Sequence, residues 1–254
     1  MIRRQFKTKP KAGARINWGH QLTKGLIGYW IMNEGAGLRV NDLANNNFGT
    51  CTNMAMSGAT SNWAGSALGG CLNFDGVDDH VNIGDIPLFD TTFTNLSISA
   101  WVYPTSVTPS NKGVTGKGGA VNQRGFALFV LNGGTISFDN WTSASGTEHS
   151  TNTTEAIVSN KWYHLAGTFQ GGVAGKVYIN GRLSVTNTTA IIANTSGNNT
   201  STLRIGDRGD GGASSPFIGS IDEVRIYNRV LSDNEVKQLY NTPHADLLTQ
   251  KIFT

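Results

Sequence analysis

After residue 19, apolar and aromatic side chains recur with a period of two, and turn residues interrupt the alternation every ten or so positions. A period of two is that of a β-strand, whose side chains alternate between two faces, and turns at this spacing predict a sandwich or barrel. In SISAWVYP (97–104), Ile98, Ala100 and Val102 take one face and Trp101 and Tyr103 the other, with Pro104 closing the strand. GFALFVL (125–131) and TISFDNW (135–141) flank Asn132-Gly133-Gly134, a hairpin signal. WYHLAGTF (162–169) and KVYINGRLSV (176–185) follow, the latter carrying Asn180-Gly181, a type I′ turn in which both central residues need positive φ. RIG (204–206) and FIGSIDEVRIYNR (217–229) supply the last strands, while 108–125, 139–154 and 206–216 read as long polar loops. One helix is predicted in LSDNEVKQLYN. Ser232 stands three before Glu235 as a capping box, Val236, Leu239 and Tyr240 recur at helical spacing, and Pro243 lies just beyond the end at Asn241.

Composition fits this picture: 32 Gly, 6 Pro and 2 Cys are the palette of short strands and many turns, and 38% hydrophobic residues suffice for a sizeable core. Charge divides the chain. Arg3, Arg4, Lys7, Lys9, Lys11, Arg15 and Lys24 precede the first acidic residue, Glu34, leaving thirteen basic against seventeen acidic residues afterwards. The expected organisation is a basic arm at 1–19, one domain at 20–242 and a tail at 243–254. An arm presenting Arg3, Arg4, Lys7, Lys9, Lys11 and Arg15 either attracts an acidic surface or is a solvated tail. No export signal is expected in the first residues, and GLIGYWIM (25–32) is far too short to span a bilayer. Cys51 and Cys71 read as small buried hydrophobes or as a cross-strand pair.

Two groups of residues carry candidate chemistry. NFDGVDDHVNIG (73–84) places Asp75, Asp78 and Asp79 within five positions; Asp79 shares parity with Val81 and is expected to turn inward and accept backbone N–H groups. The three are either turn carboxylates or part of a calcium site that draws also on Glu34, Asp42 or Asp222, because calcium takes six to eight oxygens from scattered loops. Trp141 beside Asp139, Asn140 and His149 has the composition of a sugar site, a flat aromatic face among hydrogen-bonding groups; the alternative is a tryptophan folded back on the core edge. His164 shares parity with Trp162 and Ala166 and reads as packed and hydrogen-bonded. No H-x-x-x-H spacing, G-x-S-x-G or P-loop occurs, and Asp222 and Glu223, as neighbours on one strand, are expected on opposite faces.

Taken in order, GLIGYWIMNEGAG, ALGGCLNFDGVDDHVNIG, NLSISAWVYP, NKWYHLAGTFQGGVAGKVYINGRL and FIGSIDEVRIYNRVLSDNEV resemble the laminin-G-like members of the concanavalin A-like lectin/glucanase superfamily, over residues 25–240. The resemblance implies an all-β jelly-roll sandwich of two antiparallel sheets, with an extended N-terminal arm and one short C-terminal helix. It implies binding of glycans or proteins rather than catalysis, and relatives often carry calcium at a sheet rim. Glycosidases of the superfamily need the spacing E-x-D-x-x-E, and the glutamates here, at 34, 148, 155, 223 and 235, do not provide it. ARINWGHQLTKGLIGYWIMNEG also resembles the start of laminin-G-like proteins of tailed bacteriophages. The expected protein is therefore non-enzymatic, anchored by its arm to a larger assembly such as a phage virion, and displayed on the virion surface. It presents a domain to cell-surface glycans, with a homo-oligomer open and no sequence-specific nucleic acid. A freestanding lectin module, extracellular or at the cell surface, is the alternative; a glycan-active enzyme ranks last.

Overall fold

Alternation along the 97–104 segment is realised as expected: Ile98, Ala100 and Val102 enter the main core, while Trp101 faces the other way and stacks on Tyr240 at 5.5 Å. The computed structural model describes residues 9, 15–56, 62–66, 69–90, 93–118, 124–141, 148–189, 200–209, 215–242 and 248–249. Arg3, Arg4, Lys7 and Lys11 lie outside the described residues. The strands are β1 (Arg15–Ile16), β2 (Leu26–Trp30), β3 (Arg39–Val40), β4 (Gly49–Thr52), β5 (Trp63–Ser66) and β6 (Gly69–Asp75). They continue with β7 (His80–Gly84), β8 (Asn95–Pro104), β9 (Lys112–Gly118), β10 (Arg124–Val130), β11 (Thr135–Trp141) and β12 (Glu148–Ala156). The last are β13 (Tyr163–Gln170), β14 (Ala174–Ile179), β15 (Arg182–Asn187), β16 (Leu203–Ile205), β17 (Ile218–Tyr227) and β18 (Leu248–Thr249), with helix α1 (Asp233–Asn241) between β17 and β18.

Two antiparallel sheets result. The front sheet runs β12-β11-β10-β9-β16-β7-β4-β3 and the back sheet β15-β14-β13-β8-β17-β6-β5, with β2 paired to β17. Front residues such as Phe126, Leu128, Ile136 and Phe138 meet back residues such as Ile98, Val102, Leu165, Ile221 and Val224 in one core. Each such fully buried large side chain is worth about 1.5–3 kcal/mol in apolar area removed from water. A second cluster covers the outside of the back sheet, where Tyr29, Ala166, Tyr178 and Tyr227 pack with Val236 and Leu239 of α1. That helix has the expected capping box: Glu235 N donates to Ser232 Oγ at 3.3 Å and Ser232 N to Glu235 Oε2 at 2.9 Å. Ser232→Ala is expected to cost about 1 kcal/mol in urea denaturation, the usual value of a lost N-cap. Asn180 (φ 53°) and Gly181 (φ 72°) form the predicted turn between β14 and β15. No described helix is long and apolar enough to cross a membrane.

Three expectations change. First, 112–118 and 148–156 are strands, not loops. Strand β9 hides its character in glycines and lysines. The backbone at 207–208 crosses directly over it, so that a Cβ on Gly113 or Gly116 would lie 2.5 Å from Arg208 N or O respectively. Its Lys117 is fully buried, held by Asp85 and by Asp90 at 3.2 Å. Second, β17 carries a bulge, with a register shift between Asp222 and Arg225 and Glu223 at φ 55°. Ile221 and Val224 both enter the core, so two residues, Asp222 and Glu223, occupy the outward step where a regular strand has one. They are not on opposite faces. Third, His164 is packed but not hydrogen-bonded: it is fully buried beside Trp101 and Tyr240, and neither ring nitrogen has a hydrogen-bond partner among the described residues. Cys51 and Cys71 are unpaired and buried, and burial pushes their thiols up to about 12 and about 11. Strand β1, with Arg15, pairs with β18, joining a piece of the expected arm to a piece of the expected tail.

Candidate functional site: a polar pocket at the rim

The β6–β7 hairpin places the aspartates of NFDGVDDHVNIG at one rim of the sandwich. Asp75 Oδ1 accepts from Val77 N at 2.8 Å and Asp78 N at 3.4 Å, an Asx-type turn that sets the hairpin. Asp79 is buried; its Oδ2 accepts from Asp75 N at 2.9 Å and from Asn62 Nδ2 at 2.8 Å. It thus points inward and takes a backbone N–H, as its parity with Val81 implied. Burial raises the Asp79 pKa; the Asp75 N–H works against this, and the neighbouring Asp75 charge adds to it. Ligand oxygens of Asp75, Asp78 and Asp79 all lie within 4.8 Å of one another.

Beside this cluster opens a pocket of about 550 Å³, lined by Asn53, Ala55, Asn62, Asn73, Phe74, Asp75, Asp79, Thr105, Ile218 and Gly219. Asn62 organises it. Its Oδ1 accepts from Ala55 N at 2.7 Å, and its Nδ2 donates to Asn73 O and to Asp79, both at 2.8 Å. Amide and carboxylate groups therefore converge from the segment after β4, from β6, from the start of β7 and from the end of β8, over the apolar atoms of Phe74 and Ile218. Convergent donors and acceptors of this kind suit a ligand rich in hydroxyls. Asn53, Asn62, Asn73 and Thr105 were not expected here. Only the position of Asn62 and Asn73 on either side of the β5–β6 hairpin hints at their pairing in the sequence.

The other expected metal ligands lie elsewhere. Asp42 is occupied by its own loop, accepting from the N–H groups of Tyr29 and Ala44 (both 2.8 Å), Asn45 (3.1 Å) and Asn47 (3.0 Å). Glu34 Oε1 accepts from Asn41 N at 2.8 Å. Asp222 is fully buried and paired with Lys9, whose side chain, expected to face a partner, is 4% exposed. None of the three joins the rim cluster.

The expected sugar site divides across the front sheet. Strand alternation sends Asp139 and Trp141 to its outer side with Ala127 and Phe129, while Asn140, opposite both Phe126 and His149, belongs to the inner side. Trp141 is 2% exposed and packs on Ala127 and Phe129, the folded-back alternative rather than an open platform. Asp139 accepts from Ser137 Oγ; burial pushes its pKa up to about 7, with the Ser137 bond opposing and the Glu148 charge reinforcing the shift.

Comparison with known proteins agrees with this architecture. Domain 4 of AbnA, an extracellular GH43 arabinanase from Geobacillus stearothermophilus, solved in complex with arabinotriose, is similar at 24% identity and TM-score 0.64, over 85% of this chain and 98% of that one. A chain of botulinum neurotoxin type C, whose cell entry is dependent upon interaction with two ganglioside molecules, is similar at 16% identity and TM-score 0.59, over 85% of this chain and 51% of that one. A mutant Trypanosoma rangeli sialidase displaying trans-sialidase activity is similar at 18% identity and TM-score 0.57, over 85% of this chain and 32% of that one. The chain thus spans about half of the toxin chain and a third of the sialidase. No curated protein sequence matches it. The laminin G family model described as the concanavalin A-like lectin/glucanases superfamily matches residues 75–237, and on that match the chain belongs to this family.

Proposed function

We propose that the protein is a glycan-binding module that works without catalysis and seats its ligand in the rim pocket. The observation that carries the proposal is the convergence of Asn62, Asn73, Asp75 and Asp79 on one cavity open at the rim. Jelly-roll relatives solved with arabinotriose or depending on gangliosides support a carbohydrate ligand. A sugar ring would meet the amides and carboxylates with its hydroxyl edges and the Phe74 and Ile218 floor with its C–H face. We propose in addition that Asp75, Asp78 and Asp79 hold a calcium ion at the lip of the pocket, completed by water or by sugar hydroxyls. Binding is tested by calorimetry against arabino-oligosaccharides and ganglioside headgroups. Asn62→Ala is expected to weaken binding about tenfold, roughly 1.4 kcal/mol, with calcium chelation weakening it further. Equal affinity for Asn62→Ala and the parent chain would place the ligand elsewhere.

The arm enters this proposal as the tether. Arg3, Arg4, Lys7 and Lys11, together with Arg15, concentrate positive charge ahead of a domain that is net acidic. In this reading they hold the glycan-binding domain on an acidic surface of a larger assembly, a virion being the setting that the opening segment suggests. Removing residues 1–8, which takes away Arg3, Arg4 and Lys7, is expected to weaken association with that surface in a pull-down while leaving sugar binding unchanged.

A further inference from the structure

The rim pocket is continuous with a row of side chains on the outside of the back sheet. Asn73, in its lining, stands opposite Ser220 of β17, and Ser220 stands opposite Tyr103 of β8. Ser220 Oγ donates to Asn73 Oδ1. One position before β13, Trp162 extends the row, its ring 5.6 Å from that of Tyr103. The adjacent row of Leu72, Ile221, Val102 and Tyr163 packs in the core, so strand alternation turns Asn73, Ser220, Tyr103 and Trp162 together to the outer face. Asn73 is exposed and both aromatic residues are half-buried.

Beyond Trp162 lies a second cavity, of about 330 Å³, whose lining includes Glu155, Tyr163, Asn180, Arg182 and Tyr240. Asn180 N donates to His164 O at 2.7 Å and its Oδ1 accepts from His164 N at 3.0 Å, which holds the Asn180-Gly181 turn against the start of β13. The end of α1 closes one side, with Tyr240 stacked on Trp101 and so near the turn that a Cβ on Gly181 would lie 2.9 Å from it. The Arg182 side chain is 66% exposed; one of its nitrogens meets Glu155, and a guanidinium has five N–H donors. Two cavities thus lie at the same end of the back sheet, with an aromatic pair between them. From Asn73 on β6 to Trp162 beside β13 the row crosses three strand spacings, about 14 Å.

We propose that the sugar in the rim pocket, the reading on which this inference rests, is one end of a linear glycan chain that crosses Tyr103 and Trp162 and ends in the second cavity. An extended glycan advances by roughly one strand spacing per ring, so about five rings fill the span. A single sugar would occupy one cavity and leave the aromatic stretch bare. Ser220 and Asn73 meet hydroxyl edges, Tyr103 and Trp162 give the C–H faces an apolar platform, and Asn180 and Arg182 receive the far end.

The test is an array of linear pentose and hexose oligosaccharides, two to eight units long, read as affinity against length for the full chain. Affinity is expected to rise at least about tenfold from two units to five and then to level off. Trp162→Ala is expected to cost about tenfold on five-unit chains and nothing on two-unit ones, whereas Asn62→Ala weakens both. Arg182→Ala, at an exposed position, gives the same reading for the far cavity even if Trp162→Ala does not fold. Equal affinity for short and long chains overturns the extended site and leaves the rim pocket standing. A gain with length that survives Arg182→Ala and a folded Trp162→Ala overturns it too, because the chain then leaves the pocket by another path. Binding at no length overturns the rim pocket as the seat of a sugar, and the extended site with it.

Discussion

Arg225→Ala is expected to destabilise the protein by about 3–5 kcal/mol, lowering the melting temperature by roughly 10–15 °C. Arg225 and Glu223 are both fully buried and lie 2.6 Å apart. Arg225 also donates to Tyr29 Oη at 2.6 Å and stacks over the Tyr29 ring at 4.0 Å, and Tyr29 Oη in turn donates to Glu223 at 2.5 Å. Removing the guanidinium leaves the Glu223 carboxylate fully buried with a phenol as its remaining polar neighbour in this triad. Losing an isolated surface pair costs about 0–1 kcal/mol; the difference here comes from the uncompensated buried charge. Replacing both partners, as Glu223→Leu with Arg225→Met, is expected to recover much of the loss, because apolar substitutes of similar volume often equal a buried ion pair. Urea denaturation of the two variants checks this. A single variant that loses less than about 1 kcal/mol would mean that water reaches the site.

The second large effect is one of pH. His164 is fully buried, and its pKa falls to about 3, first through burial and then through the Arg225 charge, with Glu223 opposing. Unfolded histidine titrates near 6.5, so the unfolded chain binds the proton that the folded chain excludes. The contribution is complete above about 6.5 and is lost as pH falls toward 3, by about 1.4 kcal/mol per unit. Asp139 runs the other way. Its pKa of about 7 lies above that of an unfolded aspartate, so its contribution is present at low pH and is lost as pH rises through 7. Between pH 4 and 6.5 the two oppose each other, and the parent protein is expected to show a shallow dependence. Asp139→Asn should expose the acid loss due to His164. His164→Phe should remove it, improving stability at pH 4.5 relative to pH 7.5 by roughly 2–3 kcal/mol against the parent. A constant difference between His164→Phe and parent at both pH values would show that protonation of His164 plays no part.

Much of the sandwich was visible in the sequence because its strands bury one face at a time. Strands β8, β10, β11, β13 and β14, the Asn180-Gly181 turn and the capped helix follow from alternation, positive-φ residues and a capping box. Strand β9 escaped because its outward positions are glycines fitted beneath another segment and its lysine is paired inside, so neither hydropathy nor alternation marks it. The bulge left a trace in the sequence, since Ile221 differs in parity from Val224 and Ile226; it escaped because Asp222 and Glu223, as adjacent residues, were read as taking opposite faces of a regular strand. The aspartate cluster was legible as a local motif. The pocket beside it was not, since Asn53, Asn62, Asn73 and Thr105 come from separate segments of an asparagine-rich chain and nothing local distinguishes them from turn residues. Trp141 with Asp139, Asn140 and His149 looked like one set because proximity along a strand suggests proximity in space, whereas a pleated backbone separates odd from even.

The doubled outward step in β17 makes the residue count of that strand as binding as its composition. Deleting either Asp222 or Glu223 would restore a regular pleat with Val224 and Ile226 still facing the core, but it would draw the second half of the strand one residue along β8 and β2 and remove the buried carboxylate that faces Lys9 or Arg225 respectively. Loops at the rims of this sandwich can lengthen or shorten at little thermodynamic cost. Within this ribbon a single omitted codon would slide everything downstream of it, up to the helix, by one residue against both neighbouring strands.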